Sequence, residues 1–234
     1  MGLPIQKAPK FKCELSGGKV VEYRPFLVKE QKYLLIAKES EDNLEILEAI
    51  KQLVTAVTDG KVNSDELPIF DLEYLFLQIR AKSVGESVTI SLYCRETDCN
   101  GSGSTSVDLS TVEVAEAVVV DNRFELNETL GVTLRFPTTR QLAMVDQKKD
   151  DGDKIIELLK FGIESIYDEE SVYEANDISD TEIVEFIENL TLDQLELLSG
   201  YFESIPTIQK EVEFKCDSCG QQQSSILKGL ASFF

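Results

Sequence analysis

The chain has 234 residues, 42% hydrophobic and 28% charged, enough apolar side chain for one soluble domain or two small ones with real cores. Its net charge of −20 repels phosphate backbones and it carries no histidine, which excludes Ser-His-Asp and Cys-His nucleophiles, HExxH zinc proteolysis and His-ligated metals, and argues against direct nucleic-acid binding. No run approaches the ~18 apolar residues of a membrane span and the first residues lack a secretory signal, so an intracellular protein with reduced cysteines and no membrane partner is expected.

KFKCELSGGKVVEY, residues 10–23, reads as a β-hairpin, because two β-prone runs flank glycines able to take the positive φ of a tight turn. After Arg24-Pro25-Phe26, Tyr33, Ile36 and Ala37 are at helical spacing. A second helix carries Leu44, Leu47, Ile50, Leu53 and Val57 on one stripe, with Asp42 or Asn43 to cap it and Gly60 beyond its end. Pro68 then precedes FDLEYLFLQIRAK, where Leu72, Leu75, Phe76 and Ile79 recur at i, i+3, i+4 and i+7 behind Asp71 as N-cap.

Beyond Gly85 the period becomes two. Val88, Ile90, Leu92 and Cys94 face one way and Thr89, Ser91 and Tyr93 the other, a strand that ends on a cysteine. A second short strand follows CNGSGST, and a third is LGVTLRF, closed by Pro137. From Thr138 to Ser204 apolar stripes predict helices throughout, with Ser179, Asp180 and Thr191 as caps. Residues 150–205 hold 17 Asp and Glu against Lys154 and Lys160 alone, so roughly three-quarters of the net charge is in this block. KEVEFKC returns to period two with Val212, Phe214 and Cys216 on one face. In the closing SSILKGLASFF, Leu230, Phe233 and Phe234 either pack on the β core or dock into a partner. The expected fold is α+β: a hairpin and helices over 1–85, a small β core from 86–136 and 206–234, and an acidic helical insertion over 137–205.

Cys94-Arg-Glu-Thr-Asp-Cys99-Asn-Gly and Cys216-Asp-Ser-Cys219-Gly are built alike, each an alternating strand running into a cysteine, with turn-forming residues after the second. That is the pattern of two zinc knuckles, and Cys94, Cys99, Cys216 and Cys219 would together hold one structural Zn²⁺ in a split, zinc-ribbon-like site. The 116 residues between Cys99 and Cys216 cost only about 1 kcal/mol more in loop closure than a short loop. Metal binding worth on the order of 10 kcal/mol offsets that. A thioredoxin-like redox pair at Cys216 and Cys219, two disulfides, and free buried thiols are the alternatives. The redox reading wants a helix after the pair, whereas CGQQQSSILK reads as a turn into a strand. Cys13 reads as a small apolar filler.

Three further motifs fail on spacing or context. TAVTDGKVNSDE matches only the second half of a calcium loop, since Thr55 and Val57 stand where carboxylates are needed. SGGK lacks the spacing of a phosphate loop. The acidic block offers many carboxylate pairs, and nothing singles out two of them as acid and base.

Arg24-Pro25-Phe26, Glu30, Lys32, Leu34-Leu35, then FDLEYLFLQIRAKSVGE, then the paired cysteines occur in this order. Together they resemble the baseplate proteins of T4-like contractile-tailed bacteriophages, the small family associated with assembly of the central baseplate hub. The likeness is strongest over residues 22–94. It implies a non-enzymatic structural component or assembly chaperone of the tail hub, working with other hub proteins in the host cytoplasm during assembly, with the virion tail baseplate as the alternative location. The second reading, from the acidic helices, is a zinc-binding adaptor or decoy for host nucleic-acid-binding proteins.

Overall fold

The computed structural model describes residues 8–40, 42–114 and 122–233. They form a mixed α+β protein in two compact units, one of Met1–Ser64, Ile69–Ala115 and Thr207–Phe234, the other of Asp65–Pro68 and Glu116–Pro206.

The first unit opens with the expected hairpin, β1 (Phe11–Glu14) against β2 (Val20–Tyr23), with Cys13 opposite Val21. Gly17 at φ 69° and Gly18 at φ 75° make its turn, which Leu15 N–H closes onto the Lys19 carbonyl at 2.8 Å. Helices α1 (Gln31–Glu39) and α2 (Asn43–Val57) follow, and the Asp42 carboxylate caps α2 by accepting the Leu44 and Glu45 N–H groups. Helix α3 (Ile69–Val84) packs against α2, and Leu72, Leu75, Phe76, Leu77 and Ile79 are completely buried. Because α3 begins at Ile69, Asp71 lies within its first turn and is not its N-cap. Its carboxylate reaches back to the hairpin instead, accepting Ser16 N–H at 2.9 Å and Ser16 Oγ–H at 2.6 Å.

Strands β3 (Ser87–Tyr93) and β4 (Ser102–Asp108) form an antiparallel hairpin, followed by the short β5 (Glu113–Val114).

The second unit is a four-stranded antiparallel sheet in the order β6 (Arg123–Glu125), β7 (Gly131–Leu134), β8 (Ile163–Tyr167), β9 (Val172–Glu174). Helices α4 (Thr139–Asp146) and α5 (Asp151–Gly162) precede β8, and α6 (Asp180–Glu188) and α7 (Leu192–Glu203) follow β9. Thr138, Ser179 and Thr191 each cap a helix in a reciprocal box with Gln141, Glu182 and Gln194.

Two expectations are corrected here. The segment 138–204 is not helical throughout, because FGIESIY leaves α5 at Gly162 and becomes β8. LGVTLRF, expected beside the cysteine strands, is β7 and pairs with β6 and β8. The core that decides this contains Val132, Leu134, Leu159, Ile163, Ile166, Ile183, Ile187, Leu198, Tyr201 and Phe202. Extending Ile163–Tyr167 lets Ile163 and Ile166 enter that core while the backbone pairs on both edges, with β7 and with β9.

The chain then returns to the first unit. Strand β10 (Ile208–Lys215) lies between β11 (Gln222–Lys228) and β5, and Val212, Phe214 and Cys216 are buried as the alternation predicts. Leu230 and Phe233 are buried in the C-terminal turn, which touches α3 and β11. Phe234 lies outside the described residues.

Candidate metal centre

Cys94 follows the last residue of β3, and Cys99 lies in the loop back to β4. Cys216 follows β10, and Cys219 lies in the turn into β11. Each hairpin thus presents a strand end and a tight turn at the same edge of the first unit. The two hairpins meet through very small residues. A β-carbon on Gly103 would lie 2.2 Å from the Lys215 carbonyl oxygen, and one on Gly101 would lie 2.5 Å from Ser218 Oγ and 2.8 Å from Cys216 Sγ. Asp217 N–H donates to the Ser102 carbonyl at 2.9 Å, and Cys94 N–H to the Gly101 carbonyl at 2.8 Å. Asp98 at φ 68° and Gly220 at φ 74° turn the chain in the two loops.

The result is a cluster of four sulfurs, all within 4.8 Å of one another. Cys94 Sγ lies 3.7 Å from Cys219 Sγ, and Cys99 Sγ 3.7 Å from Cys216 Sγ. A tetrahedron of sulfurs each ~2.3 Å from a central ion has edges of about 3.8 Å, so these two contacts have the size of a tetrahedral thiolate shell. All five cysteines are free thiols, and the thioredoxin-like alternative lacks its geometry: the chain enters a strand after Cys219, not a helix.

The donor chemistry fits a cation as well. Cys216 is drawn down to about 7, chiefly by the N–H of Cys219 and also by that of Ser218. The Gly101 N–H favours the Cys99 thiolate too, but hydrogen bonds with the Cys94, Cys219 and Cys216 sulfurs, together with burial, outweigh it and push Cys99 up to about 12. Cys219 is also raised, although the Gln221 N–H points at its sulfur. Turn amides thus prepare the site for negative charge while neighbouring sulfurs oppose it, a conflict that a divalent cation among the four would relieve.

Cys13 is apart from this cluster, buried in the β1–β2 hairpin, and burial raises its thiol to about 12, with the charge of Asp71 adding to the effect. The calcium-like segment is the end of α2. Thr55 is helical, Gly60 at φ 71° donates to the Thr55 carbonyl at 2.9 Å, and Asp59 faces Lys10 at 3.8 Å.

The family described as T4 bacteriophage base plate protein matches residues 8–234. The chain belongs to that family. It is also 24% identical over 222 residues to the baseplate hub assembly protein gp26 of Enterobacteria phage T4, a match covering 93% of this chain and 94% of that protein. No solved structure matches it.

Residues that signalled this baseplate family have plain structural work. Arg24 grips Glu30 with both terminal nitrogens, at 3.0 and 3.1 Å, and also donates to the Ala56 and Pro25 carbonyls. Glu30 in turn accepts Leu27 N–H at 2.6 Å, so one buried ion pair ties the approach to α1 to the end of α2. Of the residues around the cysteine cluster, sequence reasoning placed Gly101 in the first cysteine turn but missed Gly103 and Gln223. The glycines of CNGSG were a visible signal for close backbone approach, whereas nothing local marked Gln223.

Proposed function

We propose that this baseplate-family protein is a non-enzymatic component or assembly chaperone of the central tail hub. The observation that carries this reading is the match of the family over nearly the whole described chain, joined by an end-to-end relative whose name is hub assembly. In this reading the four cysteines hold a structural Zn²⁺ that fastens the β3–β4 hairpin to the β10–β11 hairpin. The protein acts in the host cytoplasm while baseplates are built, and its partners are other hub proteins. The acidic second unit is the surface they meet. Within residues 150–205, Lys160 is already paired with Glu157 and Asp180, and Lys154 with Asp151, so most of the 17 carboxylates of this stretch have no lysine of their own there. Such a face favours a basic partner and a salt-sensitive complex.

Isolation of the tagged protein from infected cells, with mass spectrometry of the captured complexes and of finished virions, tests the assignment. Recovery with baseplate hub proteins is expected. Recovery only from intermediates makes it a chaperone, and recovery from particles makes it a component. Absence from both overturns the proposal, and capture of a host polymerase or nuclease alone favours the adaptor reading. Metal analysis of the purified chain should give one zinc per molecule, lost in Cys216→Ser.

A further inference from the structure

Three of the four sulfurs receive backbone N–H groups from their own turns: Gly101 to Cys99, Ser218 and Cys219 to Cys216, and Gln221 to Cys219. Cys94 receives a side chain. Gln223 Nε2 donates to Cys94 Sγ at 3.0 Å. The same amide uses its Oε1 to accept the N–H of Arg95 at 3.0 Å. A backbone N–H can only donate, so it fixes the carbonyl end of the amide toward Arg95 and leaves the NH₂ end for the sulfur. The two contacts define one orientation of Gln223.

The position of Gln223 makes this a cross-brace. It lies one residue into β11, opposite Phe214 of β10, whereas Cys94 and Arg95 leave the end of β3. A few residues along the same strand, Ser225 accepts a hydrogen bond from Arg95 Nη2 at 2.9 Å. The five-residue step from Cys94 to Cys99 opens a wider loop than the three-residue step from Cys216 to Cys219. The brace therefore comes from the other hairpin.

We infer that Gln223 is a positioning residue for the metal centre, orienting the Cys94 sulfur as a ligand by donating an amide hydrogen bond to it across the two hairpins. This inference rests on the four-cysteine metal reading. It assigns Gln223 a role in metal retention, and a neutral donor suits that role: it reduces the charge density on sulfur without adding a competing cation or ligand.

The test uses the full chain loaded with Zn²⁺ and, separately, with Co²⁺. Gln223→Glu keeps an acceptor for Arg95 N–H but removes the donor and places a carboxylate beside the sulfur. Gln223→Leu removes both contacts. Ser225→Ala, which frees the Arg95 side chain without touching a sulfur, is the control. Competition with a chromogenic chelator should show zinc held ~10–100-fold more weakly by Gln223→Glu and Gln223→Leu, and unchanged by Ser225→Ala. The sulfur-to-cobalt charge-transfer band should move to lower energy in Gln223→Leu, because a thiolate that has lost its hydrogen bond gives up an electron more easily. Should Gln223→Leu fail to fold, Gln223→Glu and the Ser225→Ala control still decide the matter. Zinc affinity within twofold of wild type in Gln223→Glu overturns the inference, as does an unmoved cobalt band in a folded Gln223→Leu. A wild-type chain that binds neither metal overturns the metal reading itself, so the two failures are distinguishable.

Discussion

Gly101 has no room for a side chain, because its missing β-carbon would overlap both Ser218 and the Cys216 sulfur. Gly101→Ala should therefore push the two hairpins apart and weaken zinc retention by about tenfold or more in chelator competition. Two carboxylates in the same unit have opposite pH signatures. Burial raises Glu30, but the Arg24 hydrogen bonds and the Leu27 N–H outweigh it and hold the carboxyl below its usual range. Its contribution is present above the unfolded value of ~4.3 and is lost as pH falls through the lower folded value. Glu30→Ala, which leaves Arg24 buried without its partner, should cost about 3 kcal/mol at pH 7 in urea denaturation, and the gap from wild type should narrow in acid. Glu73 is the reverse case. Burial pushes it up to about 7, against the Leu230 N–H that favours its charge. The folded state then holds a proton that the unfolded chain has released, so stability falls as pH rises from ~4.3 through 7. Glu73→Gln should gain stability over wild type between pH 5 and pH 8 in the same assay. A gap between the two proteins that stays constant with pH would refute the assignment.

Elements were readable where local pattern and final environment agree. α3 announced itself because Leu72, Leu75, Phe76 and Ile79 share a face, and all four are fully buried. The strands ending at Cys94 and Cys216 were readable from alternation, and the four cysteines from their turn chemistry. Asp71 was misread because a carboxylate near a helix start looks like a cap, while its partner, Ser16, is 55 residues away. β8 was missed for a related reason. Five residues are too few to separate a strand from the tail of an amphipathic helix by period, and β8 is specified by β7 and β9. Gln223 was invisible because its role depends on a hairpin 128 residues away in sequence. If β8 is a core strand, Ile163→Ala should destabilise the second unit by about 2–4 kcal/mol in urea denaturation. Amide exchange should also show protection across Ile163–Tyr167 in the paired pattern of a strand. A loss under ~0.5 kcal/mol, in the range of an exposed position, would contradict the sheet.

At the scale of the whole molecule, both compact units bury apolar side chains, and the first also joins segments from both ends of the chain at the four-sulfur cluster. Chelation should therefore lower amide-exchange protection in β3, β4, β10 and β11 while leaving that of β7 and β8 nearly unchanged. A uniform loss across both units would contradict that division. The separation of the cysteine pairs also sets an order of events during translation. The ribosome delivers Cys94 and Cys99, then the Glu116–Pro206 part of the second unit, and only afterwards Cys216 and Cys219. In the proposed zinc reading, a nascent chain halted before Cys216 would have two ligands and nowhere to close them, so ion capture would report that both hairpins have been synthesised and have met.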